Sequence, residues 1–124
     1  MSQGISEKLL QICREKLILM RADLLNRLRH LRKDFARSEK VSGDEIDHAV
    51  AQLEENTFLI SQERISFQLL EIERALARLE LGTFGICEET QEPIEPTRLL
   101  AIPYTRLSIE GAETRESLQK KFAR

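Results

Sequence analysis

From Ser6 to about Arg37, apolar residues return at Leu10, Cys13, Leu17, Met20, Leu24, Leu28, Leu31 and Phe35, always three or four positions apart. That spacing lays one stripe along an α-helix and is the seam of a coiled coil with a stutter. Neither Gly nor Pro interrupts it. Ser6 stands where a side-chain oxygen can accept an orphan N–H of the first turn. The stretch Ser38-Glu-Lys-Val-Ser-Gly-Asp44 breaks the period, and Gly43 is its helix breaker. Asp44 or Ser42 can cap a second helix, whose first turn then carries Glu45 and Asp47 at the favourable end of the dipole. This second helix is expected from about Asp44 to Leu81. Its seam reads Ile46, Ala49 or Val50, Leu53, Thr57 and Ile60, then, after a phase shift, Ile65, Leu69, Ile72, Leu76 and Leu79. Gly82 ends the helix as a C′ residue. Two long helices with a short connection pair antiparallel.

After Gly82 the period is lost. Residues 83–108 contain a Gly, several Pro and short apolar runs, and predict a compact module of turns with a short hairpin. From about Glu110 the chain turns helical again. So small a module cannot hold a stable core alone. It is expected to pack on the base of the helix pair near Leu9, Leu76 and Leu79, using Phe84, Ile86, Ile94, Leu99, Leu100, Ile102 and Tyr104. The domain reading is therefore a flexible 1–5, a helical hairpin over 6–81 with its tip at about 38–49, and a globular module with a C-terminal helix over 82–124.

Composition narrows the function. The chain of 124 residues is 32% charged and 5% aromatic, without Trp, which suits long helices and leaves little to line a large enzyme pocket. The net charge of −2 conceals segregation. Residues 1–40 carry ten Lys or Arg against five Asp or Glu, and residues 41–95 carry three against thirteen. A basic helix followed by an acidic one is weak support for two elements side by side. Cys13 and Cys87 form no disulfide framework, so a reducing compartment is the default. No signal-peptide pattern opens the chain, and no apolar run reaches the ~18–20 residues of a membrane span. A cytoplasmic, membrane-free, monomeric protein is expected. The basic cluster Arg27, Arg29, Arg32, Lys33, Arg37 and Lys40 lacks helix-turn-helix or finger spacing, so sequence-specific DNA binding is not expected. No phosphate loop, nucleophile elbow or metal-binding His pair is present, and no enzymatic activity is expected.

The most specific signals are Gly82-Thr-Phe-Gly-Ile-Cys87 and Arg98-Leu-Leu-Ala-Ile-Pro103, preceded by a hairpin and separated by Glu92-Pro-Ile-Glu-Pro96. This combination resembles the DksA/TraR family of bacterial transcription factors over nearly the whole chain. The resemblance implies a mainly α fold: a long antiparallel coiled-coil hairpin, a small degenerate zinc-finger-like globular module and a C-terminal helix. It also implies direct binding to RNA polymerase, with the hairpin inserted into the secondary channel and an acidic tip near the active site. Promoter-complex stability would change without any catalytic step. The family's D-x-x-D-x-A tip falls on Asp44, Asp47 and Ala49, and a basic position that grips the channel rim falls on Arg64.

The chain departs from the family at the metal. The family's four-cysteine spacing falls on Cys87, Thr90, Ser108 and Gly111, leaving one thiolate where structural zinc wants four ligands, mostly Cys or His. Zinc is therefore not expected, and the resemblance is to the cysteine-poor branch. Glu88 and Glu89 follow Cys87 and oppose thiolate formation, so Cys87 reads as a packed relic. The family's basic contacts to the co-effector ppGpp fall on Glu71, Ile102 and Ala112, none of them basic. A weak ppGpp site or none is expected, unless Arg98, Arg106 or Lys120 compensates. Two rival readings remain: a Gre-like secondary-channel factor whose tip carboxylates hold Mg²⁺ for RNA cleavage, and a structural coiled-coil adaptor.

Overall fold

The computed structural model describes residues 5–41 and 48–122. Four helices follow in order: α1 (Glu7–Val41), α2 (His48–Leu81), α3 (Pro96–Ala101) and α4 (Ile109–Phe122). The described residues form no strand, only an isolated antiparallel bridge between Ile86 and Pro93. This is the mainly α fold with a helical hairpin that the sequence predicts. The chain divides into two compact units, one made of Met1–Leu19 with Glu71–Arg124, the other of Met20–Leu70. Each long helix thus contributes one end to each unit.

In the first unit, α1 starts where the sequence places it. Ser6 Oγ accepts the Leu9 N–H at 3.1 Å, an N-cap bond. Cys13 and Leu17 are fully buried, as are Ile72 and Ala75 on α2. Arg14 reaches Glu80 across the pair at 3.0 Å. Leu9, Leu76 and Leu79, expected at the base, are half-buried, so the tightest packing sits about one turn further along each helix. The module closes this core with Phe84, Ile94 and Leu99. It is tied to α1 by Lys16 Nζ, which donates to the Leu100 carbonyl at 2.8 Å, and to α2 by Arg78, which donates to the Tyr104 carbonyl at 3.3 Å. Ile5 is buried too, with its side chain on Gly85.

α2 ends as predicted. Gly82 takes φ +78°, and the Thr83 N–H donates to the Arg78 carbonyl at 3.0 Å. That is the long bond of a Schellman motif, and only a residue without Cβ adopts this backbone at no steric cost.

In the second unit the α1 seam is the predicted one, with Leu24 and Leu28 buried and Leu31 and Phe35 half-buried. The α2 seam is not. Leu53 and Ile60 are 66% and 58% exposed. The residues turned inward are Phe58, Ser61, Ile65 and Leu69. Phe35 and Phe58 stack nearly parallel, 4.1 Å between centroids, and Arg32 donates to Gln62 at 2.8 Å. The aromatic stack decides the phase of α2. With Phe58 inward, a single stripe continues through Ile65 without the shift the sequence seemed to require, and Leu53 and Ile60 fall outside it.

Candidate functional site

The first candidate region is built where the module meets α4. The turn after Ile86 is closed by Cys87 N–H to the Glu92 carbonyl at 2.8 Å and Gln91 N–H to the Cys87 carbonyl at 2.9 Å. Gln91 takes φ 63°, a left-handed position tolerated within so tight a turn. The turn brings the Thr90 N–H to within 3.5 Å of Cys87 Sγ. From the other side comes Ser108, the N-cap of α4, whose Oγ accepts the Gly111 N–H at 3.0 Å. Gly111 lies directly against the sulfur, and a Cβ at that position would collide with Cys87 Sγ. Cys87, Thr90, Ser108 and Gly111 therefore converge, although they are spread over two dozen positions in sequence. The capping role of Ser108 was legible from its place before a helical stretch, but the sequence alone put the helix start near Glu110.

Electrostatics at the sulfur differ from the expectation. Burial pushes the Cys87 thiol up, but hydrogen bonds from Ser108 and Thr90 outweigh it and bring the pKa down to about 6. The neighbouring carboxylates do not govern it, because they are held by arginines. Glu88 pairs with Arg106 at 3.4 Å, and Glu89 with Arg115 at 3.1 Å. Cys87 is fully buried, so the packing part of the expectation holds while the charge argument fails. Cys13 behaves oppositely. Burial raises its pKa, only partly offset by Lys16.

A second polar feature lies beside the module. Glu71 is 5% exposed, and its carboxylate pairs with Arg106 at 3.2 Å and Arg74 at 3.7 Å. Its Oε1 is buried without a hydrogen-bond donor. Burial lowers the pKa of the nearby Arg78 guanidinium, while Glu88 and Glu71 draw it back up. Arg98, another candidate cation, donates to the Leu107 carbonyl at 2.8 Å. Lys120 pairs with Glu116 on its own helix at 3.7 Å. Ile102 is half-buried and so is Ala112.

Of the tip residues, Asp44 and Asp47 lie outside the described residues. Ala49 is exposed in the first turn of α2, and Arg64 is exposed further along the same helix.

Comparison with known proteins follows this geometry closely. Residues 82–117 match the prokaryotic dksA/traR C4-type zinc finger. The structure of transcription factor DksA2 from Pseudomonas aeruginosa superposes with a TM-score of 0.85 at 32% identity, covering 93% of this chain and 88% of that one. This chain belongs to the DksA/TraR family. Within the family, the RNA polymerase-binding transcription factor DksA of Caulobacter vibrioides (strain NA1000 / CB15N) is 28% identical over 116 residues, covering 94% of this chain and 82% of the relative. An uncharacterized protein of Aquifex aeolicus (strain VF5) is 34% identical over 113 residues, covering 88% and 77%.

Family membership raises the question of zinc. A C4-type finger needs four thiolates arranged as a tetrahedron. At the corresponding positions this chain offers one thiol, two hydroxyls and no side chain at all. The space that a side chain at residue 111 would enter is taken by the Cys87 sulfur. The donor set does not fit a structural zinc. Around Cys87 the structure shows hydrogen bonds and close packing.

Proposed function

We propose that this protein is a DksA-like regulator that binds RNA polymerase directly in the bacterial cytoplasm and alters transcription initiation. The reading is carried by the match to DksA2 across nearly the whole chain, together with the DksA relative described as RNA polymerase-binding. In this reading the hairpin enters the secondary channel as a monomer. Asp44 and Asp47 are the acidic groups presented to the active site, together with Ala49. Arg64 grips the channel rim. No bond of a substrate is made or broken. The factor acts as a ligand that binds some polymerase states better than others, and so shifts promoter complexes between them. Neither DNA sequence nor a membrane is read; no helix is long and apolar enough to cross one among the described residues.

Two refinements rest on the module. First, it folds without zinc, because one thiolate cannot replace four. Second, ppGpp synergy is weak. Arg106 is committed to the buried Glu71 carboxylate, which would repel a polyphosphate, and neither Ile102 nor Ala112 offers a cation.

The test is in vitro transcription with Asp44→Asn and Asp47→Asn beside the parent. Variants that bind polymerase but lose the promoter effect support the tip mechanism, and variants that regulate as the parent does overturn it. Adding ppGpp to the same reactions at a ribosomal promoter should change the parent's effect little, and strong synergy contradicts the second refinement.

A further inference from the structure

Within the second unit, α1 and α2 leave a cavity of about 380 Å³ between them. Leu31 and Phe35 line it from α1, Leu53 and Phe58 from α2. Phe35 and Phe58 stack on each other and are half-buried, so they form a firm floor. Leu53 is 66% exposed and forms the outer lip. The volume falls among small-molecule sites and is mostly walled by apolar side chains, as such sites are.

One end of the cavity is acidic. Asp34 and Ser38 stand one turn apart on α1, on the same face. Ser38 Oγ donates to Glu54 Oε2 of α2 at 3.5 Å. Asp34 and Glu54 therefore share the end nearer the tip, while Leu31 and Ser61 lie at the other. Thr57 Oγ1 donates to the Leu53 carbonyl at 2.9 Å, which leaves its lone pairs free to accept. None of the lining residues is basic, and neither Asp34 nor Glu54 makes an ion pair among the described residues. Arg32 is engaged with Gln62 at 2.8 Å and does not line the cavity.

These features select a ligand by charge and shape. An anion would face two carboxylates. A neutral apolar molecule would fill the floor and leave both carboxylates without a counter-charge. A bare cation would use the acidic end and leave the apolar floor wet. A primary ammonium group has three donors, and Asp34, Glu54 and Thr57 offer it acceptors. An aryl body behind it would cover Leu31, Phe35 and Phe58, where apolar burial and aromatic contact are favourable.

We propose that this cavity binds a small arylalkylamine, with its ammonium group at Asp34 and Glu54 and its ring on the Phe35–Phe58 floor. The site is complete in the free chain. It needs no polymerase and stands or falls independently of the function proposed above.

The experiment titrates the full chain, with methyl groups labelled for NMR, against phenethylamine. Phenethyl alcohol and phenylpropionate serve as the neutral and the anionic compounds with a similar body. Phenethylamine should shift the Leu31 and Leu53 methyls and saturate with a Kd of about a millimolar or tighter, a plausible efficiency for so few atoms. The Leu99 and Ile72 methyls of the first unit should not move. The alcohol should bind several-fold more weakly, and the carboxylate should not bind. Asp34→Asn and Glu54→Gln are at exposed positions, so helicity and melting should be unchanged. Each should weaken amine binding several-fold, as loss of a solvent-exposed ion pair does, and bring the affinities for amine and alcohol together. Glu55→Gln removes a neighbouring carboxylate outside the cavity and should bind about as the parent does. A parent that does not saturate overturns the proposal. So do equal affinities for amine and alcohol, parental affinity in both Asp34→Asn and Glu54→Gln, or shifts centred on other methyls.

Discussion

At the residue scale, Cys87 and Gly111 explain each other. The sulfur fills the space that any Cβ at position 111 would need, and both sit inside packed surroundings that cannot yield. Gly111→Ala should therefore destabilise the protein by about 1–3 kcal/mol through overpacking, read from urea unfolding, although Ala is the better helix former. The same enclosure makes Cys87 titratable near neutrality. Its pKa falls to about 6 in the folded protein, below the thiol's ordinary range. Between pH 6 and 9 the unfolded chain holds a proton that the native state has released, so stability rises with pH across that window. The contribution is complete above pH 9 and is lost as pH falls through about 6. The melting-temperature difference between the parent and Cys87→Ala should accordingly grow from pH 6 to 8.5. Thiolate absorbance that appears only above pH 8 would contradict this. The residue types around Cys87 were legible in the sequence, but their effect was not. Glu88 and Glu89 are adjacent along the chain, yet they are turned to Arg106 and Arg115, while Ser108 arrives from far along the sequence.

At the scale of elements, α1 reads directly from its spacing and α2 does not. α1 has one apolar stripe, so period and seam coincide. α2 has two stripes, one through Leu53, Ile60 and Phe67, the other through Phe58, Ile65 and Leu69. Periodicity alone joins pieces of both and requires a phase shift. The Phe35–Phe58 stack settles which faces inward. Phe58→Ala should cost about 2 kcal/mol, less than the ~3–5 of a fully buried Phe because the site is half-buried. Ile60→Ala should cost under about 0.5 kcal/mol, as surface substitutions do. Urea unfolding of both variants measures the contrast, and equal losses would restore the shifted seam. Helix ends were more predictable, since Ser6 and Gly82 act through bonds to residues three to five positions away.

At the scale of the whole molecule, the question is what holds a 124-residue chain together when its family module is a zinc finger. The first unit answers with a core drawn from both long helices and the module: Cys13, Leu17, Ile72, Phe84, Cys87 and Leu99 are all fully buried. The Arg78, Lys16 and Arg106 contacts surround it. Incubation with a strong chelator should leave the melting temperature within a degree or so, whereas removing a structural zinc from a finger would unfold the module. A fall of several degrees would mean that a metal contributes. Phe84→Ala should cost about 3–5 kcal/mol in the same measurement, because Phe84 is fully buried and is the largest anchor of the module.

The sequence by itself determined the two long helices and the C-terminal one, the ends at Ser6 and Gly82, the antiparallel pairing and the family, because these depend on local periodicity, local hydrogen bonds and short motifs; it did not show α3, which lies where turns and a short hairpin were expected. It also determined that only one of the four family zinc positions carries a cysteine. Tertiary structure alone decided which stripe of α2 faces inward, why Gly111 must be glycine, and what charge environment Cys87 meets. Those depend on which distant groups share a volume. Close packing lets only one of two stripes face the partner helix, and only one atom occupy the space beside residue 111.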